Sequence, residues 1–100
     1  MDKKEDAVII AKRYADLIKE KFQIELMYLF GSYVNGNYRE ESDIDIAVIL
    51  KDQDYDFLTY SKELFRLRRE IDLRIEPVLL DKEDNPGFLA EIRRTGIRIL

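Results

Sequence analysis

The segment Ile44 to Leu50 carries one polar side chain, Asp45, and is otherwise apolar at every position. Side chains alternate faces along a strand, so this one is apolar on both faces, as expected of a central strand covered on both sides. The entrance to the strand is different. Asp43 and Asp45 flank Ile44, so the two carboxylates share one face while Ile44 turns to the other. Acids are depleted in strands, and two of them at the mouth of an apolar one call for a reason.

The surrounding chain alternates between helix and strand patterns. Val8, Ala11, Ala15, Ile18 and Phe22 recur at helical spacing and predict an amphipathic helix from about Lys3 to Lys21. Ile24 to Phe30 reads as a strand that ends at Gly31, and Ser32 to about Asn35 fits one helical turn before the Gly36-Asn37 break. A polar loop from Tyr38 to Ser42 leads into the Asp43 strand. After a polar turn at 51–54, Phe57, Tyr60, Leu64, Leu67 and Ile71 predict a helix from about Asp56 to Glu70. Ile71 to Leu80 then alternates, with Asp72, Arg74 and Glu76 on one face, until Pro77 limits its ladder bonding. Asn85 and Pro86 open a last helix, Gly96 suits its exit, and Ile97 to Leu100 forms a short final strand. The expected class is α/β (α+β): a small mixed sheet of about four strands packed with helices. No repeat, low-complexity tract or linker divides residues 1–100, which read as one domain.

Composition narrows the chemistry. With no cysteine and no histidine, the chain cannot use a disulfide, a thiolate nucleophile, a Cys/His zinc site or a histidine base. Carboxylates, Lys, Arg, Ser and Tyr remain. No apolar run approaches the roughly 20 residues of a membrane span, and the charged start is no secretory signal, so a cytoplasmic protein is expected. Seventeen basic against 21 acidic side chains give a formal charge of −4, which argues against nucleic acid as a partner. The basic group Lys62, Arg66, Arg68 and Arg69 reads as a solvated helix face.

Two devices for handling a nucleoside triphosphate stand close together. The Gly31-Ser32 turn offers backbone N–H groups and a hydroxyl to phosphate oxygens. After a ten-residue spacer, Asp43 and Asp45 offer hard oxygen ligands, which suit Mg²⁺ because that ion keeps water and phosphate in its other positions. In-line transfer at phosphorus works best with two metal ions and a third carboxylate. Asp72 is the first candidate and Glu76 the second, with Arg74 between them able to pair with one carboxylate. Tyr28, Tyr33 and Tyr38 are aromatics that a base could stack on, although aromatics flanking a strand usually serve packing, which is the favoured reading.

Gly31-Ser32, the spacer, Asp43-Ile44-Asp45 and the segment Ile71-Asp72-Leu73-Arg74 resemble the minimal nucleotidyltransferases of the DNA polymerase beta-like superfamily. The resemblance spans nearly the whole chain. It implies that a hydroxyl attacks the α-phosphate of a nucleoside triphosphate, ATP by expectation, and expels pyrophosphate. It implies that Asp43, Asp45 and Asp72 are catalytic and hold two Mg²⁺ ions, with Asp72 also the base for the hydroxyl. Gly31, Ser32 and Arg74 would bind nucleotide. Asn35 departs from the pattern, since relatives often carry arginine shortly before the glycine corresponding to Gly36. Standalone members this short resemble antitoxins that pair with a HEPN-type toxin, by adenylating its tyrosine or by binding alone, so a hetero-oligomer is expected and a homo-oligomer is possible. Transfer to a small molecule is a further alternative, for which no acceptor-binding domain is visible.

Overall fold

The computed structural model describes residues 3–36, 42–51, 54–83 and 85–100. The expected loop from Tyr38 to Ser42 lies outside them except for Ser42, as do Asn37 and part of the expected 51–54 turn. Helix α1 spans Lys3–Ile18, strand β1 Ile24–Phe30, the single turn α2 Ser32–Asn35, and strand β2 Ile44–Leu50. Helix α3 spans Phe57–Leu67 and tightens into a 3₁₀ turn at Arg68–Glu70. Strand β3 spans Ile75–Leu79, helix α4 Pro86–Thr95 and strand β4 Ile97–Arg98.

The four strands form one mixed sheet in the order β3-β2-β1-β4, in which β2 and β3 run parallel and the other pairs antiparallel. This is the expected α+β arrangement, and it explains the apolar β2. On one face, Ile44, Ile46, Val48 and Leu50 join α1 and α3 through Ala7, Ala11, Tyr14, Ile18, Leu64 and Leu67. On the other, Ala47 and Ile49 join Leu26, Leu80 and the α4 residues Leu89 and Ile92. A register shift between Ile24 and Leu26 lets Ile24 reach the first layer while Leu26 reaches the second.

Helix α1 lies against the sheet through small residues, Ala7, Ala11 and Ala15, which let the two backbones approach closely. Tyr14, absent from the expected apolar stripe, is fully buried, and its hydroxyl donates to the Leu64 carbonyl oxygen at 2.6 Å, tying α1 to α3. Burial pushes the Tyr14 phenol above its ordinary range. The helix stops at Ile18 rather than Lys21, in a turn closed by Phe22 N–H to Ile18 C=O.

The largest departure from expectation is at 71–74. These residues do not extend β3. The N–H groups of Ile71 and Asp72 both donate to the Arg68 carbonyl, and the Arg68 guanidinium donates to the carbonyls of Leu73 and Ile75. Backbone groups satisfied locally have no need of a ladder partner, and pairing with β2 begins at the Arg74 carbonyl, which accepts from the Ile44 N–H at 2.8 Å. Arg68 is therefore not part of a solvated basic face: its guanidinium also lies 3.8 Å from the centre of the Phe65 ring. Gly96 ends α4 in extended rather than left-handed backbone. Its lack of a side chain serves close approach, since a Cβ there would lie 2.6 Å from the Ile92 carbonyl oxygen. No helix among the described residues is long and apolar enough to cross a membrane.

Candidate functional site

Strand pairing assembles the candidate site. Phe30, the last residue of β1, is the partner of Asp45 in β2, and Asp45 is the partner of Glu76 in β3. Directly paired residues project from one face, so Phe30, Asp45 and Glu76 form a row across the sheet. The next rows on that face, Tyr28-Ala47-Val78 and then Leu26 with Ile49, run under α4. Only the Asp45 row contains carboxylates, and it lies at the end of the α4 layer.

Gly31 follows Phe30 with φ +82° and ψ −147°, a conformation open to glycine and strained for other residues. The turn brings its Cα against the Asp45 carboxyl: a methyl group on Gly31 would overlap Asp45 Oδ2. The two devices seen in the sequence thus touch. Ser32 then starts α2, where Val34 and Asn35 N–H groups return to the Gly31 carbonyl at 3.1 and 3.0 Å, and Gly36, also at φ +82°, closes the turn. The leading N–H groups of a helix lack intrahelical acceptors, which suits this end to phosphate oxygens.

Asp45 is half-buried and Asp43, just ahead of the strand, is exposed. Burial pushes the Asp45 carboxyl up to about 6, and the negative charges of Asp43 and Glu76 push in the same direction. A half-buried carboxylate pushed further up by two neighbouring negative charges is what a divalent cation would relieve. Hard oxygen donors fit Mg²⁺. As they stand, no three acidic groups among the described residues are drawn together tightly enough to enclose an ion.

Asp72 and Arg74 are placed differently from the expectation that they share a strand face with Glu76. Both precede β3. Asp72 Oδ1 accepts from the Arg74 N–H at 2.8 Å and from Nε at 3.1 Å, and Oδ2 accepts from Nη2 at 2.9 Å. Those hydrogen bonds from Arg74 hold the Asp72 carboxyl below its ordinary value. Arg74 Nη1 donates to the Tyr33 hydroxyl at 3.3 Å, and Tyr33 is buried in the layer beneath α1. A hollow of about 250 Å³ lined by Lys3, Asp6, Ala7, Tyr33 and Arg74 opens there. Arg74 is thus turned toward the α1 layer, while Asp45 faces the α4 layer. Tyr33 serves packing and Arg74, Tyr28 is half-buried beside α4, and Tyr38 lies outside the described residues.

That Glu76 rather than Asp72 pairs with Asp45 is not readable in the pattern of 71–80, because both fall at the same alternation. The useful signal is the parallel register of β3 on β2, which depends on the α3 crossover.

The family described as polymerase beta, nucleotidyltransferase, matches residues 12–100. A relative from Methanocaldococcus jannaschii with the name "Putative protein adenylyltransferase MJ1379" is 31% identical over 91 residues, which cover 90% of this chain and 91% of the relative. A crystal structure of a toxin-antitoxin with AMP-PNP superposes with a TM-score of 0.67 at 25% identity, over 89% of this chain and 72% of that one. The toxin-antitoxin MntA-HpeT, in a mutant with two aspartates one residue apart changed to glutamate, superposes with a TM-score of 0.68 at 26% identity, over 88% and 70%.

Proposed function

We propose that this chain, which belongs to the polymerase beta nucleotidyltransferase family, is a nucleotidyltransferase that moves AMP from ATP onto a hydroxyl of a partner protein. The observation that carries the reading is the contact of the Gly31 turn with the Asp45 carboxyl, which supports a phosphate-binding role for a turn that lies against the acid pair. The acceptor oxygen attacks the α-phosphorus, the bond from that phosphorus to the bridging oxygen of the β-phosphate breaks, and pyrophosphate leaves. Gly31 and Ser32 hold the outgoing phosphates through N–H groups and the serine hydroxyl. Asp43 and Asp45 would hold Mg²⁺, as a pair of ions, which supplies neutralisation of the charge that builds on the phosphoryl oxygens.

For the third acid, the role expected of Asp72, we propose Glu76. It is in register with Asp45, whereas Asp72 is engaged by Arg74. Glu76 takes the proton of the attacking hydroxyl. Arg74, expected to bind nucleotide, acts as the anchor of the 72–74 turn.

Relatives with protein adenylyltransferase in their name and toxin-antitoxin neighbours support a protein acceptor. The resemblance makes that partner a HEPN-type toxin, modified on a tyrosine in the cytoplasm by residues 1–100 acting as one domain. The test is incubation with α-labelled ATP, Mg²⁺ and the partner. Label should appear on the partner with the wild-type chain and vanish with Asp43→Asn/Asp45→Asn, and equal labelling by both chains would refute the reading.

A second reading, an inhibitory subunit that binds without turnover, is favoured by α2. Its residues Ser32, Tyr33, Val34 and Asn35 include no cation, and Arg74 faces the other layer. Mg²⁺-dependent thermal stabilisation by ATP separates the two: a competent site gains melting temperature with nucleotide and metal together, and a pure binder gains none.

A further inference from the structure

Helix α4 buries Leu89 and Ile92 against the sheet, and these two account for its packing. Phe88 lies to one side of that stripe and remains 44% exposed. Its ring meets Phe30 edge to face, with centroids 5.8 Å apart and planes at 85°. Phe30 is the strand partner of Asp45 and the chain neighbour of Gly31. An edge-to-face pair uses one edge and one face, so ring faces remain for a third flat group. The only charged side chains in the row beside Phe30 are the acids Asp45 and Glu76, which makes the aromatic pair the apolar end of an otherwise acidic site.

We infer that Phe30 and Phe88 form a shelf on which the nucleobase of the incoming triphosphate stacks while its phosphates lie at Gly31 and Ser32. The inference rests on the nucleotide reading of the site and names its second half. The shelf lies one residue from the phosphate turn and one strand spacing from Asp45, so a single mononucleotide reaches both. Because every base has a π face, the shelf selects for a flat ring rather than for adenine. Selection among bases then falls to groups around the ring edge.

The experiment compares Mg²⁺-ATP with Mg²⁺-tripolyphosphate, which carries the phosphates and no base. Binding of each is measured by calorimetry to the wild-type chain, Phe88→Leu and Phe88→Tyr. Phe88→Leu keeps the apolar volume and loses the ring, and circular dichroism confirms its fold. Loss of stacking should weaken ATP binding by between about fivefold and about a hundredfold, with tripolyphosphate unchanged and Phe88→Tyr close to wild type. If Phe88→Leu binds ATP as the wild type does, or loses both ligands equally, the shelf is refuted and the phosphate site stands. If the wild-type chain binds neither ligand, the nucleotide reading and the shelf fall together.

Discussion

Gly31 and Gly36 share a φ of +82° and differ in what surrounds them, which makes them a matched pair for experiment. A Cβ on Gly36 would meet nothing within 4 Å among the described residues. Gly36→Ala therefore costs only the left-handed backbone, about 1–2 kcal/mol. At Gly31 the combination with ψ −147° is a glycine-only region, costing about 1–3 kcal/mol. The new methyl must also displace the Asp45 carboxyl from its position, adding about 0.5–1.5 kcal/mol for a distorted rotamer. A domain of this length loses about 4–8 °C of melting temperature per kcal/mol. Gly36→Ala should lower it by about 4–16 °C and Gly31→Ala by about 6–36 °C, the larger loss at Gly31 in any one buffer. Thermal unfolding in EDTA measures both. The overlap is isolated by repeating Gly31→Ala in an Asp45→Ala background, which removes Oδ2. There the cost should shrink by the overlap share and keep the backbone share. An identical cost in both backgrounds would refute the claim that the turn is built against Asp45.

The Asp45 carboxyl, raised to about 6 from 3.8, predicts a stability that falls as pH rises through that window, because the folded state holds the proton more tightly than the unfolded one. Asp45→Asn should thus stabilise the metal-free chain at pH 7.5 by about 1 kcal/mol, after discounting for partial solvent exposure, and by little at pH 4; equal gains at both pH values count against it. Glu76→Gln should lower the transfer rate by about 10²–10⁴-fold, whereas Asp72→Asn should cost only several-fold, and steady-state kinetics showing the reverse order would restore Asp72 as the third acid. Tyr14→Phe deletes a buried hydrogen bond and should cost about 1 kcal/mol in urea unfolding, with ATP binding unchanged.

Local pattern and local structure agree where one strand or turn is decided by its own residues. The bounds of β1, α2 and β2 match expectation, because each is set by a run of apolar side chains or a glycine at its end. Four alternating residues at 71–74 carry too little information by comparison. Leu73, placed on an inward face by alternation, is 65% exposed, because Arg68 draws the backbone into a turn. For the site, the acid pair and the Gly-Ser turn were legible as types and spacing. The proposal of Glu76 over Asp72 rests on the register of a parallel pair, and that of Phe88 on the crossing of α4. Both are set by distant packing rather than by neighbours in sequence.

The antiparallel pairing of β1 with β2 has a kinetic consequence. Gly31, Ser32, Asp43 and Asp45 lie in or beside the connection between β1 and β2, so closing that one antiparallel pair brings most of the candidate site together. Glu76 joins through a parallel crossover that includes α3, and Phe88 joins later still along the chain. Loop-closure entropy favours the nearer contacts. During folding, the turn and the acid pair are therefore expected to meet before Glu76 and Phe88 arrive, and pulse-labelled hydrogen exchange should protect β1 and β2 ahead of β3. A folding chain would then present the pair proposed to hold the cation before it presents the acid proposed to take the proton.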